Sequence, residues 1–345
     1  MRKADIVWSF RKAKEGFRDY RDLWDTVNKT QGNHVLRDSL FVEALINSFA
    51  DDDTLLAICD GPGLPTLGLF SPKRAGFWST FQPSQAPIGF LLIGNHENLL
   101  EQIRGLFSAF PRYALTLSVL QQDPDFTKLD GDLTKFGAER LDHIMTSRIR
   151  IAGDFDEYWT SRGRFYSADL RRQCRRLAER GVQFELRVER RPDRMAECIA
   201  EYARLEESGW KSKEGTAVTQ TNIQGQFYRE VLERFGYQDE AVVYQLLFNG
   251  KIVASDLCLQ RNGMLVILKI AYDESYKGIS PGKLLNQEMF RHLFTEGGAQ
   301  VLEWYGRFHE WQEKLGAEPR MIFHVNLYRY PWIARLRRIA KGLVV

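Results

Sequence analysis

The most regular alternation of apolar and polar residues lies in the second half of the chain. Three apolar runs are separated by two Asn-Gly pairs, and Asn-Gly is the strongest two-residue signal for a β-hairpin turn. The runs and turns are 241–248, Asn249-Gly250, 252–260, Asn262-Gly263 and 264–271. They predict a meander of three antiparallel strands. Apolar residues then recur at helical spacing through 284–294, and residues 300–304 are predicted to form a fourth strand.

Strand and helix patterns also alternate along the rest of the chain, which predicts an α/β protein with a mixed sheet of the α+β kind. The further predicted strands are 55–59, 67–70, 77–81, 88–93, 113–120 and 184–188. The further predicted helices are 99–107, 170–181, 195–205 and 222–235. The helix at 170–181 has an arginine-rich face, which is typical of a solvated surface, with contact to phosphate or lipid as the alternative.

At 345 residues the chain is longer than one ordinary core needs, and it predicts two domains of roughly 150 residues each. Hydrophobic residues make up 44% of it and charged residues 27%, so both domains can bury large cores. With 48 basic and 45 acidic residues, the net charge of +3 is too small to predict a nucleic-acid partner. The four cysteines form no CxxC pair, so we expect reduced, packed side chains and no metal site.

The loop between the third meander strand and the following helix has the clearest candidate chemistry. Residues 273–283, DESYKGISPGK, are polar and glycine-containing, and they lead into the N-terminus of the helix. Loop amides, the positive end of the helix and two lysines would together bind an anion such as a pyrophosphate. The alternative is a surface connection in which Pro281 only starts the helix. The predicted binding residues are Lys277, Gly278, Ile279, Ser280, Pro281, Gly282 and Lys283.

The meander, loop, helix and strand together resemble the acyl-CoA-binding motif of the GNAT acyltransferase superfamily. The loop has neither the GxxxxGK[ST] pattern of nucleoside triphosphate sites nor the parallel setting of a Rossmann site. Within the superfamily the chain resembles the acetyltransferase branch of cellulose and exopolysaccharide biosynthesis, which is related to the Fem peptidyltransferases. The matching residues are Trp210-Lys211 with Gly215-Thr216, Tyr272-Asp273 with Pro281-Gly282, 303–306, and Lys314-Leu315-Gly316. The loop departs from the usual Gln/Arg-x-x-Gly-x-Gly/Ala form.

This resemblance implies tandem GNAT-like domains: a degenerate domain over 1–154, a catalytic domain over 155–330 and a basic amphipathic helix over 331–345. It implies acyl transfer from acetyl-CoA or a longer acyl-CoA to an amine, such as an amino sugar of envelope or exopolysaccharide metabolism. Two alternatives stay open. One is long-chain N-acylation of a lipid amine, as in ceramide synthesis, and the other is a non-catalytic scaffold of a membrane synthase complex. No pair of long heptad helices is visible, which argues against an aminoacyl-tRNA donor.

Direct attack of an amine on a thioester requires a neutral nucleophile, stabilisation of an oxyanion and a proton donor for the leaving thiolate. By the resemblance, Glu303 is the preferred base and His309 the second choice. Asp256 lies inside an apolar strand, either as a functional carboxylate or as a solvent-facing residue. Tyr272 and Tyr305 are candidate proton donors, with packing as the alternative. The candidate substrate-binding residues are Trp210 and Lys211 on the acceptor side, and Lys314, which could neutralise a carboxylate or phosphate.

The last 26 residues, 320–345, contain six basic residues and no acidic one. After Pro331 the apolar residues share one helical face, which is typical of a helix that lies on an anionic bilayer. Docking of this helix on its own protein is the alternative. No stretch reaches the roughly 18 consecutive apolar residues of a spanning helix, and no signal peptide is visible. The expected location is the cytoplasm, with the inner face of the membrane as a further expectation.

Overall fold

Two compact units make up the chain in the computed structural model. The described residues are 6–61, 63–96, 99–127, 129, 138–162, 164–208, 217–276, 278–296 and 298–342. The first unit consists of residues 1–145 together with 321–345, and the second of residues 146–320. These boundaries differ from those predicted at 154 and 330. Each of them falls inside a strand: the division after residue 145 lies in Glu139–Arg150, and the division after residue 320 lies in Glu318–Tyr328. The C-terminal helix accordingly belongs to the first unit.

The elements are numbered in chain order. The strands are β1 (Val7–Lys12), β2 (Leu55–Asp60), β3 (Thr66–Arg74), β4 (Phe77–Thr80), β5 (Leu91–Leu92), β6 (Thr116–Gln122), β7 (Glu139–Arg150), β8 (Phe184–Glu189), β9 (Ala241–Phe248), β10 (Lys251–Arg261), β11 (Met264–Tyr272), β12 (Val301–Trp304) and β13 (Glu318–Tyr328). The helices are α1 (Ala13–Gly16), α2 (Arg21–Thr30), α3 (Ser39–Phe49), α4 (Leu99–Ala109), α5 (Phe155–Ser161), α6 (Arg164–Glu179), α7 (Met195–Ser208), α8 (Ile223–Gly236), α9 (Pro281–Glu296), α10 (Glu310–Lys314) and α11 (Pro331–Gly342).

In the first unit, the strand order is β1-β2-β3-β4-β6-β13, with β5 paired to β3. Neighbouring strands are antiparallel except β4 and β6, which are parallel and joined through α4. The unit therefore contains a meander of three strands, then a helix, then a strand parallel to the third. Its core includes Phe70, Trp78, Phe110 and Val325, and Trp78 packs 4.7 Å from Phe110 between ring centroids.

In the second unit, the order is β8-β9-β10-β11-β12, followed by residues 147–150 of β7. Here too a meander, β9-β10-β11, is followed by a helix, α9, and by a strand, β12, that is parallel to β11. Both predicted Asn-Gly turns are confirmed. Asn249 and Gly250 have φ angles of 48° and 80°, and Asn262 and Gly263 have 51° and 74°. Positive φ at both central residues matches the twist of the flanking strands.

Helix α9 covers one face of this sheet and builds the core of the second unit. Its buried residues Leu285, Met289 and Leu293 recur every four positions, which places them on one stripe of the helix. They pack with Leu265 and Trp304 in a single apolar cluster. Among the described residues, no helix is both long and apolar enough to cross a membrane.

Candidate acyl-donor site

The parallel strands β11 and β12 pair over only part of their length. Their register runs from Met264 opposite Val301 to Ile267 opposite Trp304, where β12 ends. Strand β11 continues to Tyr272, and within the described part of the chain its last residues have a strand partner only on the β10 side. The β10 register shifts at this same point, because Leu257 pairs with Lys269 and Cys258 with Ile267, leaving Leu268 as a bulge. Such bulges redirect a strand, and here one edge of β11 is left open.

A cavity of about 670 Å³ begins at this open edge. It is lined by the end of β11, the predicted anion-binding loop, the first turns of α9, and Trp311. Gly278 has a φ of 78°, a conformation that favours glycine, and Ile279 packs into the core below. Helix α9 begins at Pro281, as the surface-connection alternative also predicts. The cavity therefore brings together Tyr272 and the predicted residues Gly278 to Lys283, while Lys277 lies outside the described residues.

Helix α6 packs against this loop through polar contacts. Asp169 accepts a hydrogen bond from Lys283 Nζ at 3.2 Å, and Gln173 Oε1 accepts one from the Ser280 amide at 2.9 Å. Arg176 Nη1 donates to the carbonyl oxygen of Gly278 at 3.4 Å. Partial burial opposes ionisation of Asp169, yet hydrogen bonds from Arg172 and Lys283 leave its pKa below the usual value. The Lys283 charge that the sequence assigned to an anion is thus shared with Asp169.

Glu303 is fully buried and is held by two arginines. Arg320 Nη1 and Nη2 donate to the two carboxylate oxygens at 3.0 and 2.8 Å, and Arg148 Nη1 lies 3.7 Å away. Arg148 is also the cross-strand partner of Glu303 on β7. Tyr305 is buried beside them, with its ring 5.4 Å from the Arg320 guanidinium. This geometry makes Glu303 the centre of an ion-pair network, which argues against a carboxylate poised to accept a proton.

Asp256 is buried in the middle of β10, with 1% of its surface exposed, which rules out the solvent-facing alternative. In register it lies opposite Ile270, which lines the cavity, and opposite Tyr244 on the other side. Its Oδ1 has no hydrogen-bond partner among the described residues. Burial in this apolar setting raises its pKa to about 8. At neutral pH the carboxyl group is therefore mostly protonated.

The remaining predicted residues lie away from the cavity or outside the described residues. His309 is exposed, and its amide donates to Gln312 Oε1 at 2.7 Å at the start of α10. Lys314 lies on the surface of the same helix, 3.5 Å from Glu310. Trp210 and Lys211 lie outside the described residues. Among the described residues there is also no group of three or more His, Cys, Asp or Glu side chains that could hold a metal ion.

The sequence reasoning predicted the helix over 170–181, with phosphate contact as one alternative, but missed its contacts with the loop. Asp169, Gln173 and Arg176 recur at spacings of four and three residues, so they share one helical face. That spacing is the signal that could have singled them out among the many arginines. Their partners on the loop are more than one hundred positions away in sequence, at separations of 114, 107 and 102 residues. No local pattern indicates such a contact.

Comparison with known proteins assigns the class. Residues 164–313 match the family model described as acetyltransferase (GNAT) domain. The protein is thus an acyltransferase enzyme, and the matched residues lie within the second unit, which contains the predicted loop and strands. GNAT domains in general use an acyl-CoA as co-substrate. None of the curated proteins matches the sequence.

Solved structures with the same fold cover almost the whole chain. FemX is 12% identical with a TM-score of 0.60, covering 90% of this chain and 97% of FemX. The C-terminal DUF2156 domain of an Agrobacterium fabrum protein is 10% identical with a TM-score of 0.58, covering 95% and 97% of the two chains. L-PGS from Bacillus licheniformis is 14% identical with a TM-score of 0.52, covering 91% and 95%. At these identities the likeness shows the fold alone, and it confirms the predicted mixed α/β class.

Proposed function

We propose that the second unit transfers an acyl group from a CoA thioester to an amine by direct attack. The observation that carries this proposal is the parting of β11 and β12 where the loop cavity begins. Residues 268–272 of β11 keep one backbone edge that no described strand pairs with. An extended ligand chain with amide groups, such as the pantetheine arm of CoA, can pair with such an edge as an added strand would.

The pyrophosphate of the donor fits the other end of the same cavity. Gly278, Ser280 and Gly282 line it, and the first turn of α9 contributes the Gly282 amide and the positive end of the helix dipole, while the Lys283 and Leu284 amides bond to the Ser280 carbonyl oxygen. Ser280 uses its amide to bind Gln173, so Gly282 in the first turn of α9 is the position best suited to the anion. A side chain at Gly282 would point towards Tyr272, because an added Cβ would lie 3.6 Å from that ring.

In the proposed reaction the acceptor nitrogen attacks the thioester carbonyl, the C–N bond forms and the C–S bond breaks. The amine releases its proton to solvent water, and the departing thiolate gains a proton from a donor that solvent then reprotonates. Of the predicted proton donors, Tyr272 lines the cavity and is 47% exposed, whereas Tyr305 is buried beside Arg320. We therefore assign protonation of the thiolate to Tyr272.

Substitution of Gly282 tests the donor site. A glutamate there adds a carboxylate in the first turn of α9, where acidic residues suit the helix but repel a phosphate. At about 100 times its dissociation constant, CoA should stabilise the wild-type protein by roughly 2.7 kcal/mol. Gly282→Glu should abolish this stabilisation, measured as the shift of melting temperature with CoA, acetyl-CoA and palmitoyl-CoA.

Gly282→Ala is the matched control, because an added Cβ meets only ordinary van der Waals contact at this position. It should retain most of the shift. No shift of the wild-type protein with any of the three thiols or thioesters would refute the donor assignment and favour the scaffold alternative.

For the acceptor, we propose an amine of envelope or exopolysaccharide chemistry, as the resemblance to that acetyltransferase branch suggests. A lipid amine is the second candidate, and the surface of α11 favours it. Trp332, Leu336 and Ile339 are 54%, 57% and 59% exposed, and they lie at helical spacing on the outward side of this helix. Ala334 on the opposite side is buried. The helix thus docks on its own unit through one face and leaves an apolar stripe outside.

The charges around this stripe suit an anionic bilayer. Arg335 is exposed next to Leu336, and no acidic residue occurs from residue 320 to the C-terminus. Arg337 points back to the protein, where it donates to the Tyr328 hydroxyl at 2.9 Å. We propose that α11 lies in the headgroup region of the inner membrane face, which would bring the enzyme to a lipid-linked acceptor.

Vesicle sedimentation tests this membrane contact. The wild-type protein should bind vesicles that contain about 30% phosphatidylserine and should bind pure phosphatidylcholine vesicles far less. The double variant Leu336→Gln, Ile339→Gln should weaken binding by more than about tenfold, because each apolar side chain contributes roughly 1.5–3 kcal/mol when buried. Ile223→Gln, which alters a half-exposed isoleucine of α8, should bind as the wild type does. Equal binding by the double variant would contradict the proposal.

A further inference from the structure

One face of α6 packs against the loop that lines the proposed donor site. Asp169, Gln173 and Arg176 lie one turn apart on this face and contact Lys283, Ser280 and Gly278 in turn. These three contacts hold residues 278–283 of the loop against α6. Gln173 is 4% exposed and also donates to Asp169 at 2.8 Å, so it is a fixed part of this contact.

The positive charges on this face of α6 and on the loop differ in how far nearby carboxylates neutralise them. Asp169 lies 2.7 Å from Arg172 and 3.2 Å from Lys283, so it offsets charge on both of these side chains. Arg176 forms no ion pair with any described carboxylate, and its guanidinium donates a hydrogen bond to the Gly278 carbonyl oxygen. A guanidinium has five N–H donors, so this bond leaves most of its donor capacity unused.

Arg176 also lies at the rim of the cavity. Its side chain is exposed, and its Nη1 would be 3.9 Å from a Cβ placed on Gly278, which lines the cavity. The pyrophosphate position proposed above is deeper, at the first turn of α9. A second anionic group of the same ligand, nearer to solvent, would meet Arg176. CoA has such a group, because its ribose carries a 3′-phosphate separate from the pyrophosphate.

We propose that Arg176 binds the ribose 3′-phosphate of the donor and that Gln173 and Asp169 are positioning residues that hold the loop against it. This assignment rests on the proposed use of CoA by the second unit. Arginine suits the task because its planar group can donate two parallel hydrogen bonds to a phosphate. The enzyme would then distinguish CoA from carriers that lack the 3′-phosphate.

Isothermal titration with CoA and with 3′-dephospho-CoA tests the assignment in the full-length protein. Arg176→Ala should raise the dissociation constant for CoA by about tenfold, the usual effect of losing one charge-assisted contact. It should change the dissociation constant for dephospho-CoA by less than about twofold. Arg176→Lys should lie between the two, since it keeps the charge but not the paired donors. Arg175→Ala is the matched control, because it removes an equal charge from the adjacent exposed position of α6.

The outcomes separate this inference from the proposed function. Equal weakening for both ligands would show that Arg176 shapes the loop or contacts the pyrophosphate, which overturns the 3′-phosphate assignment and leaves the donor site standing. Unchanged CoA affinity in Arg176→Ala would overturn it as well. If the wild-type protein binds neither ligand, the use of CoA is wrong, and the role of Arg176 is refuted together with it.

Discussion

Asp256→Asn is expected to remove a large pH dependence from the stability of this protein. In the folded state, burial raises the Asp256 pKa to about 8, whereas the ordinary value is 3.8. Between these two values the unfolded chain has lost the proton and the folded protein still holds it. The contribution of Asp256 to the free energy of unfolding is therefore fully present below the lower pKa. It falls by about 1.4 kcal/mol for each pH unit up to the higher pKa. Asparagine cannot ionise, so its contribution does not change with pH.

Urea unfolding at several pH values between about 6.5 and 8.5 measures this effect as the difference between the two proteins. Half-buried His292 and His324 have pKa values lowered by partial burial and give the opposite slope, but only below about 6.5, where they protonate on unfolding. Burial also raises the pKa of Glu288, and its contribution cancels because both proteins contain it. Glu185→Gln, at an exposed position of β8, should leave the slope unaltered. Parallel curves for wild type and Asp256→Asn would show that the carboxyl is ionised when folded.

The same residue shows where sequence reasoning ends. The meander was predictable because its signals are local: apolar runs and Asn-Gly turns whose positive φ angles the structure confirms. The start of α9 at Pro281 was equally local. An aspartate in an apolar strand, however, has two faces available to it, and the sequence does not say which of them a helix will cover. In the structure α9 covers the face that Asp256 shares with Tyr244.

Strands without a clear apolar period were also beyond the sequence pattern. Strand β7, ERLDHIMTSRIR, carries charged residues towards both ends, and no strand was predicted there. The run predicted over 88–93 shrinks to the two paired residues Leu91–Leu92 in β5. Pairing depends on which neighbour supplies hydrogen bonds and cover, and tertiary context decides this for strands more than intrinsic preference does.

For Glu303, the role that its position in the sequence predicts differs from the role that its contacts in the structure indicate. Its place at the end of β12 predicted a general base, and the structure surrounds it with Arg320 and Arg148. We expect Glu303→Gln to lower the free energy of unfolding by roughly 3–5 kcal/mol, because Arg320 would be left as a buried charge without its partner. A carboxylate that served only as a base would cost turnover and leave the stability nearly unchanged.

The double variant Glu303→Leu, Arg320→Met separates these roles. Replacing both members of a buried ion pair by apolar residues of similar volume is often neutral, so most of the lost stability should return. The double variant also removes the carboxylate that faces Arg148. This costs less stability, because 19% of the Arg148 side chain is exposed to solvent. The free energy of unfolding, from urea titration, and the rate of acyl transfer from acetyl-CoA should be measured on the wild type, Glu303→Gln and the double variant.

We expect turnover to return together with stability, since we assign the Glu303–Arg320 pair only the role of holding the end of β12 in place. Restored stability with turnover still absent would instead assign Glu303 to the chemistry, as its strand position first suggested. Arg320→Met alone provides the internal check. It should destabilise the fold at least as much as Glu303→Gln, because it removes both hydrogen bonds that Arg320 donates to the fully buried Glu303 carboxylate, while Arg148 lies farther away at 3.7 Å.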